Sequence, residues 1–109
     1  MTISYKVLGQ SNPSATTATT LYTVPAANTA VISTLNICNL AGQAGAFRIA
    51  VRPGGASLAN VHYLAYDVPI PSNNTISYTI GMSLAATDVV TVYANTALLS
   101  FSIFGTEIY

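Results

Sequence analysis

The chain has 109 residues and a formal net charge of zero, and only 6% of its residues are Asp, Glu, Lys or Arg, against about 25% in a typical soluble domain. Three basic residues cannot neutralise a run of phosphates, and no apolar run approaches the roughly 18 residues that cross a bilayer. We therefore expect a soluble protein without a secretion signal, a nucleic-acid partner or membrane insertion. So few charges favour contact between molecules and predict a surface covered by other copies of the chain, the alternative being a polar surface of Ser, Thr and Asn.

The first twenty residues predict a strand and a polar linker. Residues 3–9 have the length and β-branched content of a short strand, expected to be an edge strand or an arm. Residues 11–20 lack a periodic apolar face and indicate an extended loop. We divide the chain into an N-terminal strand or arm with its linker, residues 1–20, and a single sandwich domain with one apolar core, residues 21–109.

The next segments predict two strands. Residues 20–24 form a short strand that Pro25 ends, because proline lacks the N–H needed for ladder pairing. Residues 30–39 alternate with period two, which is typical of a strand and not of a helix. One face of this strand is expected to carry Val31, Ser33, Leu35 and Ile37.

The cleanest alternation lies at residues 47–52, FRIAVR. Phe47, Ile49 and Val51 are expected to face the core, which leaves Arg48 and Arg52 on the outer face. The Pro-Gly-Gly sequence that follows is predicted to end the strand, because proline removes a donor and glycine admits positive φ.

The rest of the chain predicts further short strands at residues 62–70, 75–81, 89–94 and from 99 onward. The segment 82–88 is compatible with a crossover loop or a single helical turn. Pro69 and Pro71, at the end of the strand at 62–70 and just after it, argue against a central position for that strand. Seven to nine short strands without a convincing helix predict an all-β fold, an antiparallel β-sandwich or jelly roll.

Catalytic motifs are missing from the sequence. His62 and Asp67 could supply two members of a hydrolytic triad, but no serine lies in a G-x-S-x-G elbow. Asp67, Asp88 and Glu107 lie on three different segments, and Asp88 is expected to be a turn former. One histidine makes a metal site improbable. We therefore expect no catalytic residues, no metal and no cofactor.

Charge and aromatic residues concentrate between residues 47 and 67. We call the following six residues the charged-aromatic group: Arg48, Arg52, His62, Tyr63, Tyr66 and Asp67. Arg and Tyr are enriched at protein interfaces, so one hypothesis makes the group a contact between subunits. The alternative is an internal salt bridge from an arginine to Asp67 over a tyrosine-covered sheet face.

Cys38 is the only cysteine, so it cannot form an intrachain disulfide or a zinc site. It lies within the strand predicted at residues 30–39. We interpret it as a small buried hydrophobe, the alternative being an intermolecular disulfide.

Four blocks of the sequence resemble a family of small structural proteins of tailed bacteriophages, including phages of cyanobacteria. They are LYTVPAANTAVISTLNICN, FRIAVRPGG, HYLAYDVPIPSNNTISYTIGMSLAATDVVTVYA and SFSIFGTEI, which together span residue 21 to near the end of the chain. The resemblance implies a non-enzymatic β-sandwich component of the virion, assembled in the host cytoplasm and placed in the tail fibre or baseplate region. It carries over no site residues.

The partners implied by this resemblance are other virion proteins, further copies of the chain and a host surface glycan. Among homo-oligomers we favour a trimer, which is common in phage fibres and capsid decorations. One alternative is a capsid cement protein that clamps neighbouring capsomers. A third reading is a carbohydrate-binding module with Tyr63 and Tyr66 as its platform.

Overall fold

The computed structural model describes residues 1–109 and contains eight strands in two four-stranded antiparallel sheets. The strands are β1 (Ile3–Ser11), β2 (Thr19–Thr23), β3 (Thr29–Asn39), β4 (Gly45–Arg52), β5 (Tyr63–Ile70), β6 (Thr75–Leu84), β7 (Val89–Ala94) and β8 (Leu99–Ile108). Two 3-10 turns, Pro53–Gly55 and Asn60–His62, lie in the β4–β5 connection. None of the helical segments has the length and apolarity to cross a membrane. The prediction of an all-β sandwich with seven to nine strands is confirmed.

The strand pairing is nested along the chain. Strand β1 pairs with β8, β2 with β7, β3 with β6 and β4 with β5, all antiparallel. The resulting orders are β1-β8-β3-β6 in the first sheet, called sheet A, and β2-β7-β4-β5 in the second, called sheet B. This is the arrangement of a jelly roll, in which one long hairpin folds over on itself. The edge strands are β1 and β6 in sheet A and β2 and β5 in sheet B.

The core lies between the inner faces of the two sheets and contains 17 buried residues. Phe47 of sheet B is fully buried and packs edge-on against Phe101 and Tyr78 of sheet A, with ring centroids 6.3 and 6.4 Å apart. Strand β7 is buried on both faces except for the partly exposed Tyr93, as its continuous apolar run predicts. Burial of these side chains between the sheets is the main stabilising contribution to the fold.

A bulge at Ser33 interrupts the alternation of β3. The pairing of β3 with both β6 and β8 shifts between Ile32 and Thr34, so the buried face changes from even to odd residue numbers. Ile32 is fully buried before the bulge and Leu35 after it, whereas Val31 is 37% exposed. The predicted face of Val31, Ser33, Leu35 and Ile37 is therefore wrong, because one extra residue reverses the side chains that follow it.

The first twenty residues take part in the sandwich. Strand β1 is an edge strand that pairs with β8 from Ile3 to Ser11, and β2 begins at Thr19. The linker of residues 12–18 joins the two sheets. Exchange of β1 as an arm between copies stays a prediction.

The structure determines the conformation of residues 82–88 and the place of β5 in its sheet. Residues 82–84 extend β6, and a turn follows in which the Asp88 carboxylate accepts hydrogen bonds from the backbone N–H groups of Gly54 and Ala85, at 2.8 and 2.9 Å. The segment is thus the end of a strand and a tight turn, and Asp88 is the predicted turn former. Strand β5 lies at the edge of sheet B, as its prolines predict.

Candidate functional site: the outer face of sheet B

Two bulges in β5 determine where the charged-aromatic group lies. Phe47 pairs with Val68 and Ile49 with Ala65, so Tyr66 and Asp67 together oppose Arg48. Asp67 has a φ of 51°, a left-handed conformation that aspartate tolerates better than most residues. A bulge of this kind redirects side chains, and here it brings two consecutive side chains to the same arginine.

The Arg48 guanidinium is held on three sides. Its Nε donates to Oδ1 of Asp67 at 2.7 Å and its Nη2 donates to Oδ2 at 3.3 Å, a bidentate pair. Its central carbon lies 4.1 Å from the ring centroids of both Tyr66 and Tyr93, which is cation–π geometry. The hydrogen bonds to Asp67 raise the pKa of Arg48 above its usual range. One of the two interpretations drawn from the sequence, the internal salt bridge, is therefore present.

Arg52 points to a different set of partners. Its Nε donates to Oγ1 of Thr91 at 3.0 Å, and its Nη1 donates to the carbonyl oxygen of Ala56 at 3.0 Å. It thereby fastens the β4–β5 connection to the outer face of sheet B. Gly54 and Gly55 have φ values of 62° and 74°, so the predicted need for positive φ after Pro53 is confirmed.

His62 and Tyr63 complete the group at the start of β5. The Nδ1 atom of His62 accepts a hydrogen bond from the backbone N–H of Ala59 at 3.0 Å, which closes the second 3-10 turn. The Tyr63 ring meets Tyr66 edge to face, with centroids 4.9 Å apart and planes at 89°. Together with Asn60, the two tyrosines line an open pocket of about 410 Å³.

The structure thus brings four of the six predicted residues into one contact network: Arg48, Tyr63, Tyr66 and Asp67. The other two, Arg52 and His62, bind the backbone of the β4–β5 connection. Both arginines already have partners within the chain. A contact between subunits through this group stays a prediction.

Two further members of the site were not anticipated. Tyr93 lies directly opposite Arg48 in the pairing of β4 with β7. Because successive side chains of a strand point to opposite faces, the sequence of residues 89–94 could have placed Tyr93 on the same outer face as Thr91. Asn60 lies in an irregular connection that no sequence pattern identifies.

A second polar cluster lies where β1, β2 and β8 meet. Glu107 is only 4% exposed, its Oε1 lies 2.7 Å from Nζ of Lys6 and its Oε2 accepts a hydrogen bond from the Tyr22 hydroxyl at 2.5 Å. Hydrogen bonds from Lys6 and then Tyr22 lower the pKa of Glu107 despite burial, while burial and Glu107 raise the pKa of Tyr22. Because Lys6 and Glu107 belong to sheet A and Tyr22 to sheet B, the cluster joins the two sheets. The sequence identifies Glu107 only as an acid on a separate segment and does not predict its burial or its partners.

Cys38 is a partly buried free thiol. It pairs with Thr75 and Ser100 on the outer face of sheet A, and an intermolecular disulfide stays a prediction that mass spectrometry without reductant can test. The structure contains no group of three or more His, Cys, Asp or Glu side chains that could hold a metal ion.

No protein-family model matches this sequence, and a comparison with curated proteins gives no significant match. The phage resemblance therefore has no independent support, and the function is argued from the surface of the molecule.

Proposed function

We propose that this chain is a non-enzymatic structural protein of a tailed-bacteriophage virion, placed in the tail fibre or baseplate region and assembled as a symmetric oligomer. The proposal takes its virion context from the resemblance of the sequence blocks. A jelly-roll sandwich agrees with it, although a fold alone does not imply a function. The observation that carries the assembly is the uncharged, partly apolar outer face of sheet A.

This face is apolar at one edge and polar without charge elsewhere. On β1, Ile3, Tyr5 and Val7 are 45%, 81% and 50% exposed. Tyr5 pairs with Thr106 of β8, which in turn pairs with Val31 of β3, so this row across three strands carries no charge. The remaining outward positions of β3, β6 and β8 are mostly Ser, Thr and Asn, and none carries a charged side chain. The low charge content led to two expectations, a surface covered by other copies and a polar surface without charge. The residues of this face are compatible with both.

A second copy of the chain is the occupant that this face fits best. In a cyclic trimer one patch of each copy contacts a different patch of the next copy, whereas in a twofold dimer the same patch lies on both sides. In either arrangement an uncharged face meets another copy without like-charge repulsion. The net charge of zero removes long-range repulsion between copies as well. Strand β1 also presents an unpaired backbone edge, which natural proteins seldom leave uncovered beside apolar side chains.

Sedimentation velocity tests the assembly. We expect the purified chain to sediment as an oligomer, with a trimer favoured, and Tyr5→Lys to sediment as a monomer with an unchanged circular dichroism spectrum. Leu98→Lys is the matched control, because Leu98 is 46% exposed but lies in the β7–β8 connection, away from this face. A monomeric wild-type protein, or an oligomer that tolerates Tyr5→Lys, would contradict the proposal.

The position on the particle distinguishes a tail protein from a capsid cement protein. Immunogold labelling of virions purified from a phage that encodes this chain should place gold at the tail tip. Gold over the head would favour the cement alternative, and virions whose mass spectra lack the chain would refute a structural role in the particle.

A further inference from the structure

The open pocket beside the charged-aromatic group has the features of a ligand site. Its volume of about 410 Å³ and its lining by Asn60, Tyr63 and Tyr66 fall in the size range of small-molecule sites, roughly 300–1,000 Å³. The two phenol rings stand at 89° to each other, so they form a right-angled aromatic corner with an amide beside it. This feature lies on sheet B and does not depend on the virion proposal.

The corner is rigid before any ligand arrives. Tyr66 packs against the Arg48 guanidinium, which Asp67 fixes through two hydrogen bonds. Tyr63 is only partly exposed, packs against Tyr66 and pairs with the buried Ala50 of β4. Binding to side chains that are already held in place costs little conformational entropy. A ligand that makes only a few contacts can therefore still bind here.

The charges around the pocket do not favour an anionic ligand. Arg48 is neutralised by Asp67, and Arg52 donates to Thr91 and to backbone carbonyl oxygens. Each guanidinium therefore already has two of its nitrogens donating within the chain, which disfavours the bidentate binding of a phosphate, sulfate or carboxylate group. The Asp67 side chain remains 52% exposed, and its carboxylate can accept further hydrogen bonds, as can the Asn60 amide and the two phenol oxygens.

A peptide added to the sheet edge also fits poorly. Pairing with an extended peptide requires a regular row of free backbone groups, but β5 is interrupted by two register shifts and contains Pro69. Bulges and prolines are the devices that prevent such pairing.

We infer that the pocket of Asn60, Tyr63 and Tyr66 binds a neutral hexose unit of an oligosaccharide. A pyranose ring has an apolar C–H face that stacks on a phenol ring and a rim of hydroxyl groups that both donate and accept. The aromatic corner supplies the stacking surface, while the Asn60 amide and the two phenol hydroxyls supply partners for the hydroxyl groups. The site carries no catalytic step, so the ligand is bound and released unchanged.

Protein-detected NMR tests this inference on the intact chain, whose mass of 11.3 kDa keeps even a small oligomer within reach of the method. The probes are the methyl glycosides of glucose, galactose, mannose and N-acetylglucosamine, each added to tens of millimolar. We expect at least one of them to shift the backbone amide signals of residues 60–67 in a saturable way. Tyr66→Ala should weaken that binding about tenfold, the loss of a central aromatic contact, whereas Tyr66→Phe should retain most of it.

Two further variants keep the test decisive if Tyr66→Ala disturbs the fold. Asn60 lies in an exposed connection, so Asn60→Ala should weaken binding without changing the melting temperature. Tyr109→Ala removes an exposed tyrosine outside the pocket and should leave binding unchanged. The inference is overturned if no glycoside shifts these signals or if the shifts lie elsewhere in the chain. It is also overturned if both Asn60→Ala and Tyr66→Ala bind the glycoside normally. A proline-rich peptide is added as a control ligand, and binding of that peptide alone would likewise overturn the inference. Sedimentation decides the proposed assembly separately.

Discussion

The hydroxyl of Tyr22 offers a direct test of the cluster that joins the two sheets. Tyr22→Phe removes the hydrogen bond to Oε2 of Glu107 and leaves that buried carboxylate oxygen without its donor. Because hydrogen bonds to charged groups contribute more than neutral ones, we expect the free energy of unfolding at pH 7 to fall by about 2 kcal/mol. For a domain of this size that corresponds to a melting temperature lower by roughly 10 °C.

The same variant has a definite pH dependence. The pKa of Glu107 is lowered in the folded protein from its ordinary value of 4.5, so its contribution to stability is present above that value and is lost as the pH falls through the lowered, folded pKa. When the carboxyl group is protonated, Tyr22 retains only a neutral hydrogen bond, and the effect of the substitution should shrink toward roughly 1 kcal/mol.

Urea unfolding followed by circular dichroism at pH 7 and at a series of lower pH values, down to the lowest at which the protein stays folded, measures both quantities. Tyr5→Phe is the control, since Tyr5 is 81% exposed, and it should change neither value. A loss for Tyr22→Phe below roughly 0.5 kcal/mol at pH 7, within the range of an ordinary surface substitution, would refute this account. An effect that grows as the pH falls would refute the role given to the charge of Glu107.

Three other substitutions test separate parts of the structure. Gly105→Ala would place a Cβ 2.0 Å from the carbonyl oxygen of Val31, so it should destabilise the protein by about 3 kcal/mol or more, while Gly42→Ala, with no atom within 4 Å, should be neutral in the same thermal melt. Arg48→Ala should lower the melting temperature and leave the sedimentation coefficient of the assembly unchanged; a folded monomer would instead support the subunit-contact hypothesis. Asn39→Ala removes hydrogen bonds to the carbonyl oxygens of Gln43, Ile70 and Pro71, and we expect urea unfolding to show a loss of about 2 kcal/mol in the free energy of unfolding. We also expect faster hydrogen exchange at the backbone amides of residues 41 and 73. Exchange that stayed slow there would show that Asn39 does not hold the β3–β4 and β5–β6 connections in place.

Local patterns were sufficient wherever a strand is regular. The alternation of FRIAVR correctly placed Phe47 and Ile49 in the core and both arginines outside. Pro69 correctly predicted an edge strand, and Gly54 the positive φ of the following turn. These features depend on residues that are adjacent in sequence, so a single chain displays them.

The errors lie where the outcome depends on a distant strand. The bulge at Ser33 coincides with the close approach of Gly105, whose missing side chain admits the backbone of Val31. The bulge at Asp67 is visible only through its pairing with Arg48. The burial of Glu107 likewise required knowledge that β1 and β2 both lie beside β8. Sequence inspection therefore found four residues of the contact network and offered the internal salt bridge as one of two interpretations. It did not find the bulge that brings these residues together or the contribution of Asn60 and Tyr93.

The nested strand pairing also sets the order in which the protein can acquire its structure. Strand β8 comes last in the sequence, yet it lies between β1 and β3 in sheet A. During synthesis β1 has no neighbour in its own sheet until residues 99–108 have left the ribosome, and its apolar residues Ile3, Tyr5 and Val7 remain accessible for that time. Such long-range pairing slows folding and prolongs exposure to other nascent chains.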